Sequence, residues 1–423
     1  MKIELILPPH RPLERPRARS IAPPYNLALL AAHTPAEHSV RITDGYVQRV
    51  DFSRKPDLVG ITALTASASG AIHVARRWRA QKVPVVMGGL HASALPEEML
   101  NECDAVLVGE AEGVWPRLLA DFAAGRLQEI YRSESHPSLA GLPFPRRDLL
   151  NPHRYFAFNL VETSRGCPFH CIYCSDSAIF GDRYRYRPVE EVVEEIRSLA
   201  RRRFVVFIDN NIVGSLSRAK ALFGALIPLR IKWVAQASIT MAYDDELLDL
   251  AARSGCMGVL IGLETLKPDV LRRIGKGVDP ARYVELIRRI QGRGIFVQGE
   301  FIFGFDEDTP DVFRETLDFV NRAKLASARF AILKPYPGTE LYRRWLAQGR
   351  IRKSDWSDWN VRVVPYEPAG MSAEALAAGR DWAYRTASSP SSIFHRVGLS
   401  RKHAPLLWAM NVANCLFRNS RFL

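Results

Sequence analysis

At 423 residues the chain is too long for one compact core and sets the expectation of two domains with an appendage. Its 47% hydrophobic and 24% charged residues exclude a disordered or fibrous protein, and no apolar run approaches the ~20 residues that span a bilayer. The net charge of +13 is dominated by arginine, a bias that codon usage produces as readily as nucleic-acid binding, so no nucleic-acid partner is expected.

The chain begins MKIELILPPH, a short apolar run broken by Pro8 and Pro9 and unlike a signal peptide. Six cysteines are too few for a disulfide framework. The expected compartment is the cytoplasm. Strand signals follow at 2–7, 39–44, 57–62, 83–87 and 105–108. Helical signals alternate with them at 26–32, 70–81, just after Pro96, and at 114–124, and Gly88-Gly89 marks a turn. Strands alternating with helices predict a parallel sheet covered on both faces, a doubly wound domain of flavodoxin type over 1–135. The Pro-, Ser- and Gly-rich stretch 136–155 reads as a linker.

The alternation resumes at 156. Strands are expected at 156–163, 204–209, 232–237, 257–261, 295–302 and 328–333. Helices are expected at 189–201, 217–226, 244–253, 280–293, 309–324 and 338–350, the first opened by Pro188. Six strand–helix units predict a partial (βα)6 barrel over 156–345, with chemistry at the C-terminal strand ends. From 346 to 423 the pattern becomes short helices. There is no fixed-period repeat.

Between the first two barrel strands lies ETSRGCPFHCIYCS, which holds Cys167, Cys171 and Cys174 within eight residues. Four thiolates would close a zinc site, whereas three on one loop suit a [4Fe–4S] cluster with one iron left open. A zinc site completed by His170 is the plainer alternative; an exposed loop histidine is the plainest reading of His170 itself. Cys103, Cys256 and Cys415 lie far along the chain, with Cys256 the nearest candidate for a fourth ligand.

The run CPFHCIYC resembles the signature loop of radical S-adenosylmethionine (SAM) enzymes, including the aromatic Tyr173 before the last cysteine. The resemblance implies a [4Fe–4S] cluster on Cys167, Cys171 and Cys174 whose open iron chelates SAM, and cleavage of SAM to a 5′-deoxyadenosyl radical. It also implies SAM contacts from Asp209, Asn210 and Asn211 after the second strand, Gln236 and Ser238 after the third, and Glu264 after the fourth. Asp209-Asn210-Asn211 departs from the family's common Gly-Gly-Glu. Gly299–Asp306 resembles the segment near adenine, although Glu300 and Asp306 also suit caps or ion pairs. Arg187 suits either a carboxylate or stacking on tyrosine.

The segments 56–62, 87–97 and 104–112 resemble the cobalamin-binding domain of B12-dependent radical SAM enzymes. Thr62, Thr65, Gly88, Gly89, His91, Gly109 and Glu110 are the candidate cobalamin contacts. The Asp-x-His-x-x-Gly loop that would ligate cobalt from below is absent: Asp44-Gly45-Tyr46 holds a comparable strand end without the histidine. His91 equally suits a capping role.

Together the resemblances imply a cobalamin-dependent radical SAM C-methyltransferase acting on a natural product, lipid or tetrapyrrole. An external electron donor of flavodoxin or ferredoxin type is the implied partner. The competing functions are a non-methylating cyclisation or rearrangement, a tRNA methylthiotransferase, and a cofactor sensor. The second of these is disfavoured because the first domain holds only Cys103. The basic, Trp-rich tail (382–423) is expected to cover one mouth of the barrel, which would favour an apolar or amphipathic substrate. It is also a candidate for peripheral membrane contact, against the plainer reading of a solvated helical face.

Overall fold

A computed structural model describes residues 1–12, 14–133, 135–199, 203–352, 355–360, 363–398 and 403–417, the last four as backbone alone. Six parallel strands, β1 (Lys2–Leu7), β2 (Ser39–Asp44), β3 (Leu58–Thr62), β4 (Val85–Gly88), β5 (Ala105–Val108) and β6 (Ile130–Arg132), form one sheet in the order β2-β1-β3-β4-β5-β6. Helices α1 (Tyr25–Ala32), α2 (Ala68–Arg79), α3 (Leu90–Ala94), α4 (Pro96–Leu100) and α5 (Trp115–Ala123) connect them. Central β3 is buried at every position, as a parallel strand covered on both faces must be. One apolar cluster fills each face, around Leu5 and Trp115 on one and around Ile61 and Trp78 on the other.

The doubly wound expectation holds, with two additions. Strand β6 is three residues between polar neighbours, too short to carry a period. Helix α3 begins at Leu90, directly after the glycine pair, and reads in sequence as part of the turn.

The second sheet is also parallel. Its strands are β7 (Leu160–Val161), then, beyond a small antiparallel hairpin of β8 (Ser164–Arg165) and β9 (Arg185–Tyr186), β10 (Phe204–Phe207), β11 (Lys232–Gln236), β12 (Cys256–Glu264), β13 (Phe296–Phe303) and β14 (Ser327–Ile332). Their order, β14-β13-β12-β11-β10-β7, is the expected six-stranded partial barrel. The helices are α6 (Ser175–Phe180), α7 (Val189–Ser198), α8 (Leu216–Leu226), α9 (Asp245–Arg253), α10 (Pro268–Arg273), α11 (Tyr283–Gly292), α12 (Val312–Arg322) and α13 (Glu340–Ala347). The first barrel strand is shorter than the expected 156–163. Phe156 is exposed, and residues 164–165 peel away to pair with β9 so that the cysteine loop can leave the sheet.

The stretch 136–155 is irregular, as expected, yet it is not a free tether. Leu139, Leu150 and Tyr155 are buried, and Arg147 donates to Glu195 of α7.

Helices α14 (Ala373–Ala387), α15 (Pro390–Val397) and α16 (Ala404–Phe417) complete the chain. Tyr384 and Arg380 of α14 bond to the backbone of Phe330 in β14. Ile393, Val397 and Leu407 pack on Phe296 and Ala326, at the N-terminal ends of β13 and β14. Asn411 donates to the Ala326 carbonyl at 2.7 Å. The tail therefore covers the mouth opposite the catalytic strand ends. The expectation was of one mouth covered, and this is the mouth at the N-terminal strand ends, so the tail does not bear on whether the substrate is apolar. Residues 418–423 of that tail and the Cys415 side chain lie outside the described residues. Among the described residues no helix is long and apolar enough to cross a membrane.

The segment before α14 reaches back to the first sheet. Asp355 accepts from Ser69, Arg11 pairs with Asp358, and the Trp356 indole donates to Glu98 at 2.5 Å.

Candidate functional site

The β8–β9 hairpin frames the cysteine loop. Gly166 opens the loop at φ +85°, and a Cβ there would fall 2.1 Å from the Arg183 carbonyl, so only glycine makes this turn. The Cys174 amide donates to the Cys171 carbonyl at 2.9 Å and the Cys167 amide to Gly181 at 3.2 Å. All three thiols are half-buried. Burial pushes the Cys171 thiol up, against the opposing pull of the nearby Lys276 ammonium. Burial and Asp176 push Cys174 up to about 11. Among the described residues no three His, Cys, Asp or Glu side chains stand at metal-holding separations. The fit to a cluster rests instead on the donor set: three thiols on one loop, within electrostatic reach of one another and of a cation. Thiolates and a compensating positive charge are what an iron–sulfur cluster requires. His170 is exposed on this loop. Cys103 and Cys256 are buried elsewhere, Cys256 within the barrel core.

The expected SAM residues gather at the C-terminal ends of the adjacent strands β10, β11 and β12, in three different states. Asp209 is committed. Its carboxylate accepts from the Thr163 amide, the Thr163 hydroxyl at 2.8 Å and the Ser164 hydroxyl at 2.5 Å. Burial raises its carboxyl while those bonds oppose the rise. Asp209 therefore pins the hairpin under the cysteine loop. Asn211 is likewise a brace, between the Ser238 amide at 2.8 Å and the Tyr184 hydroxyl at 3.0 Å. Ser238 caps the turn at 239–243.

Gln236 is exposed and Asn210 half-buried at the same edge. Glu264 ends β12 at φ +63°, a conformation costing a non-glycine residue about 1–3 kcal/mol. It is held there by Lys276 at 3.0 Å and by the Tyr173 hydroxyl. The strained Glu264 thus sets a carboxylate and an ammonium beside the cysteines. Of the flanking candidates, Asp306 pairs with Arg350 and Glu300 accepts from Gln298 at 2.7 Å, so both serve as pairing partners. Arg187 meets a carboxylate of the chain itself, Glu195.

The carboxyl edge of the first sheet opens onto a cleft of about 1030 Å³, open solvent included. Five of the candidate cobalamin contacts, Thr62, Gly88, Gly89, Gly109 and Glu110, line it. Leu30, Leu64, Leu107 and Trp115 make much of the surface apolar, and Ile179 and Phe180 of α6 form the opposite wall. The first sheet and the helix that follows the cysteines therefore face each other across one space. An extended, apolar-walled cleft at a glycine-lined strand edge fits a large macrocycle. No histidine lines it among the described residues, in keeping with the missing Asp-x-His loop.

Thr65 and His91 fall outside this lining. His91 is 0% exposed, its Nδ1 3.3 Å from the Thr65 hydroxyl and its ring edge-on to Trp356. It is a buried tie to the C-terminal segment and stands apart from the lining of the cleft. Gly89 is the tightest point of the cleft. At φ +95°, a Cβ would lie 2.8 Å from the Thr62 hydroxyl and 2.9 Å from the Ala63 carbonyl. Gly89→Ala is expected to cost about 2–4 kcal/mol in thermal melts and to lower cobalamin retention after gel filtration.

Sequence reasoning missed the charged frame of the cleft. Arg165 reaches Glu110, Glu112 and Glu162 at 2.6, 2.6 and 2.9 Å. Arg185 and His136 also hold Glu110, at 2.5 and 3.0 Å. The available signals were Arg165 beside the loop and the alternate glutamates of 110–112.

Two family models match the chain, one described as the radical SAM superfamily over residues 161–320 and one as the B12 binding domain over 17–119. The bacteriochlorophyllide d C-12(1)-methyltransferase of Chlorobaculum tepidum is 29% identical over 96% of this chain and 90% of its own length. A methyltransferase of Pyrococcus horikoshii, named as uncharacterized, is 32% identical over 85% of this chain and 86% of its own. The radical S-adenosylmethionine methyltransferase TsrM of Kitasatospora setae, solved with cobalamin and a [4Fe–4S] cluster bound, shares the fold. It superposes with a TM-score of 0.65 at 21% identity, over 84% of this chain and 79% of that one.

Proposed function

The chain belongs to the radical SAM enzymes that carry a B12-binding domain, and we propose that it methylates an unactivated carbon of a small molecule. The observation that carries this reading is the single cleft between the glycine edge of the first sheet and α6, the helix that leaves the cysteine loop. When bound, the cluster with SAM supplies a carbon-centred radical, and cobalamin supplies the methyl group.

The chain's own residues then have distinct tasks. Cys167, Cys171 and Cys174 hold the cluster. Gln236, Asn210 and the Glu264–Lys276 pair offer polar contacts to SAM at the adjoining strand ends. Ile179 and Phe180 keep water from the passage between cleft and loop, protecting a radical from quenching. Gly88, Gly89 and Gly109 would let the backbone approach a bound corrin, and Leu64 and its apolar neighbours would pack against it. The electron needed to start each turnover comes from an external one-electron donor.

Likeness to a bacteriochlorophyllide methyltransferase over 96% of the chain supports a tetrapyrrole as the first substrate to test. Protein reconstituted with iron, sulfide and cobalamin, then given SAM, a reductant and a tetrapyrrole panel, is expected to form 5′-deoxyadenosine and S-adenosylhomocysteine in comparable amounts. The product mass should rise by one CH2. If cobalamin is bound and substrate consumed, but only 5′-deoxyadenosine forms, methyl transfer is the wrong reaction and a cyclisation or rearrangement takes its place.

A further inference from the structure

Tyr184 stands on the short return from α6 to β9 and has no place in the roles given above. Its hydroxyl lies 3.9 Å from the Cys167 sulfur and 3.0 Å from Asn211 Nδ2. The direction of each hydrogen bond follows from its neighbours. The Ser238 backbone amide can only donate, and it meets Asn211 Oδ1 at 2.8 Å. That contact fixes the carbonyl side of the Asn211 amide and leaves Nδ2 facing Tyr184. Nδ2 can only donate, so it fills an acceptor position on the Tyr184 oxygen. The phenolic hydrogen is left for the sulfur of Cys167, the other hydrogen-bonding neighbour of the hydroxyl among the described residues. A thiolate has no hydrogen of its own and accepts it.

The ring is held for this contact. A Cβ on Gly214 would fall 2.4 Å from Tyr184 Cζ, so Gly214 gives the ring a flat seat that no other residue could provide. The Tyr186 ring lies 5.9 Å away on the same hairpin.

Resting on the assignment of the cluster to Cys167, Cys171 and Cys174, we infer that Tyr184 is a positioning residue that donates a hydrogen bond to the Cys167 sulfur and thereby raises the reduction potential of the cluster. The physical reason is charge. Reduction adds one electron to the cluster and its thiolates, and a donor hydrogen bond stabilises the more negative form more strongly. The relay from the Ser238 amide through Asn211 to Tyr184 also ties that bond to the strand ends where SAM is expected.

The test uses the full-length protein, reconstituted anaerobically with iron and sulfide and titrated with dithionite under EPR detection. Tyr184→Phe keeps the ring and removes the hydrogen, and is expected to move the midpoint potential to more negative values. Incorporation of 3-fluorotyrosine at position 184, a stronger donor of nearly the same size, is expected to move it the other way. Tyr186→Phe is the control. Its hydroxyl has no hydrogen-bond partner among the described residues, and the potential should stay at the wild-type value. An unmoved potential in the Tyr184 variants, or an equal shift in Tyr186→Phe, overturns the inference while leaving the cluster in place. A wild-type protein that takes up no iron–sulfur cluster overturns the cluster assignment, and this inference with it.

Discussion

Replacing Cys171 with alanine is expected to abolish iron–sulfur absorbance and SAM cleavage, and Cys167→Ala and Cys174→Ala should do the same. Removing an outer-sphere partner of a metal ligand typically costs 10–100-fold in metal affinity, so losing a ligand itself should cost at least ~100-fold. Cys256→Ala is the contrast. Burial pushes that thiol far up, and its sulfur faces the Gly258 carbonyl inside the barrel core. Such a thiol behaves as a small apolar group. Its loss should cost about 1 kcal/mol of stability and no iron. Iron and sulfide analysis after anaerobic reconstitution separates the two outcomes. A Cys256→Ala protein without a cluster would make Cys256 a ligand and close the iron that the proposed chemistry needs open.

Arg165→Met is expected to be the most destabilising single change outside the apolar cores. Arg165 is 6% exposed and is shared by three carboxylates, two from the segment after β5 and one from the barrel side. Breaking a buried ion pair by removing one partner typically costs 3–5 kcal/mol, because the other charge is left buried and uncompensated. Burial alone would raise Glu112, but the Arg165 guanidinium outweighs it and holds the carboxyl below its usual range. A carboxyl depressed in the folded state adds stability that is present above its unfolded value, near 4.3, and is lost as pH falls through the folded value. In Arg165→Met that contribution disappears. The stability gap from wild type should therefore be fully present above about pH 4.5 and should narrow as pH falls below that, where the Glu112 carboxyl takes up its proton. Thermal melts from about pH 3 to pH 8 test this. A gap independent of pH would show that Arg165 contributes packing and not charge. Glu112→Gln added to Arg165→Met should recover part of the loss, since it removes one of the stranded charges.

The two sheets were legible in the sequence because parallel strands covered on both faces leave long-period alternation that needs no knowledge of contacts. β3, LVGIT, is such a strand, and its burial at every position is the property that made it readable. The cysteine loop was legible for a related reason: C-x3-C-x2-C places its thiols on one short loop by covalent connection alone. The lining of the cleft was partly legible, through Gly88-Gly89 and Gly109, because glycine at a strand end signals close backbone approach.

What was not legible lay in long-range pairing. Asp209 looks like a free carboxylate at a strand end, and only the hairpin 45 residues earlier, bringing Ser164 against it, consumes its oxygens. His91 reads equally as a cofactor contact or a cap, and only Trp356, from the far end of the chain, shows the ring packed away from solvent. The tail reads as a cover for one mouth of the barrel without saying which, and its apolar contacts with Phe296 and Ala326 put it at the N-terminal strand ends.

The sequence alone determined the two parallel sheets, their order along the chain and the three-thiol loop, since each depends on local periodicity or covalent spacing. Only the tertiary structure decided which candidate side chains remain available for cofactors, which are spent as braces, and how the cleft comes to face the cysteine helix. A polar side chain satisfies its hydrogen bonds with whatever the fold brings within ~3 Å, and that neighbour can lie hundreds of residues away.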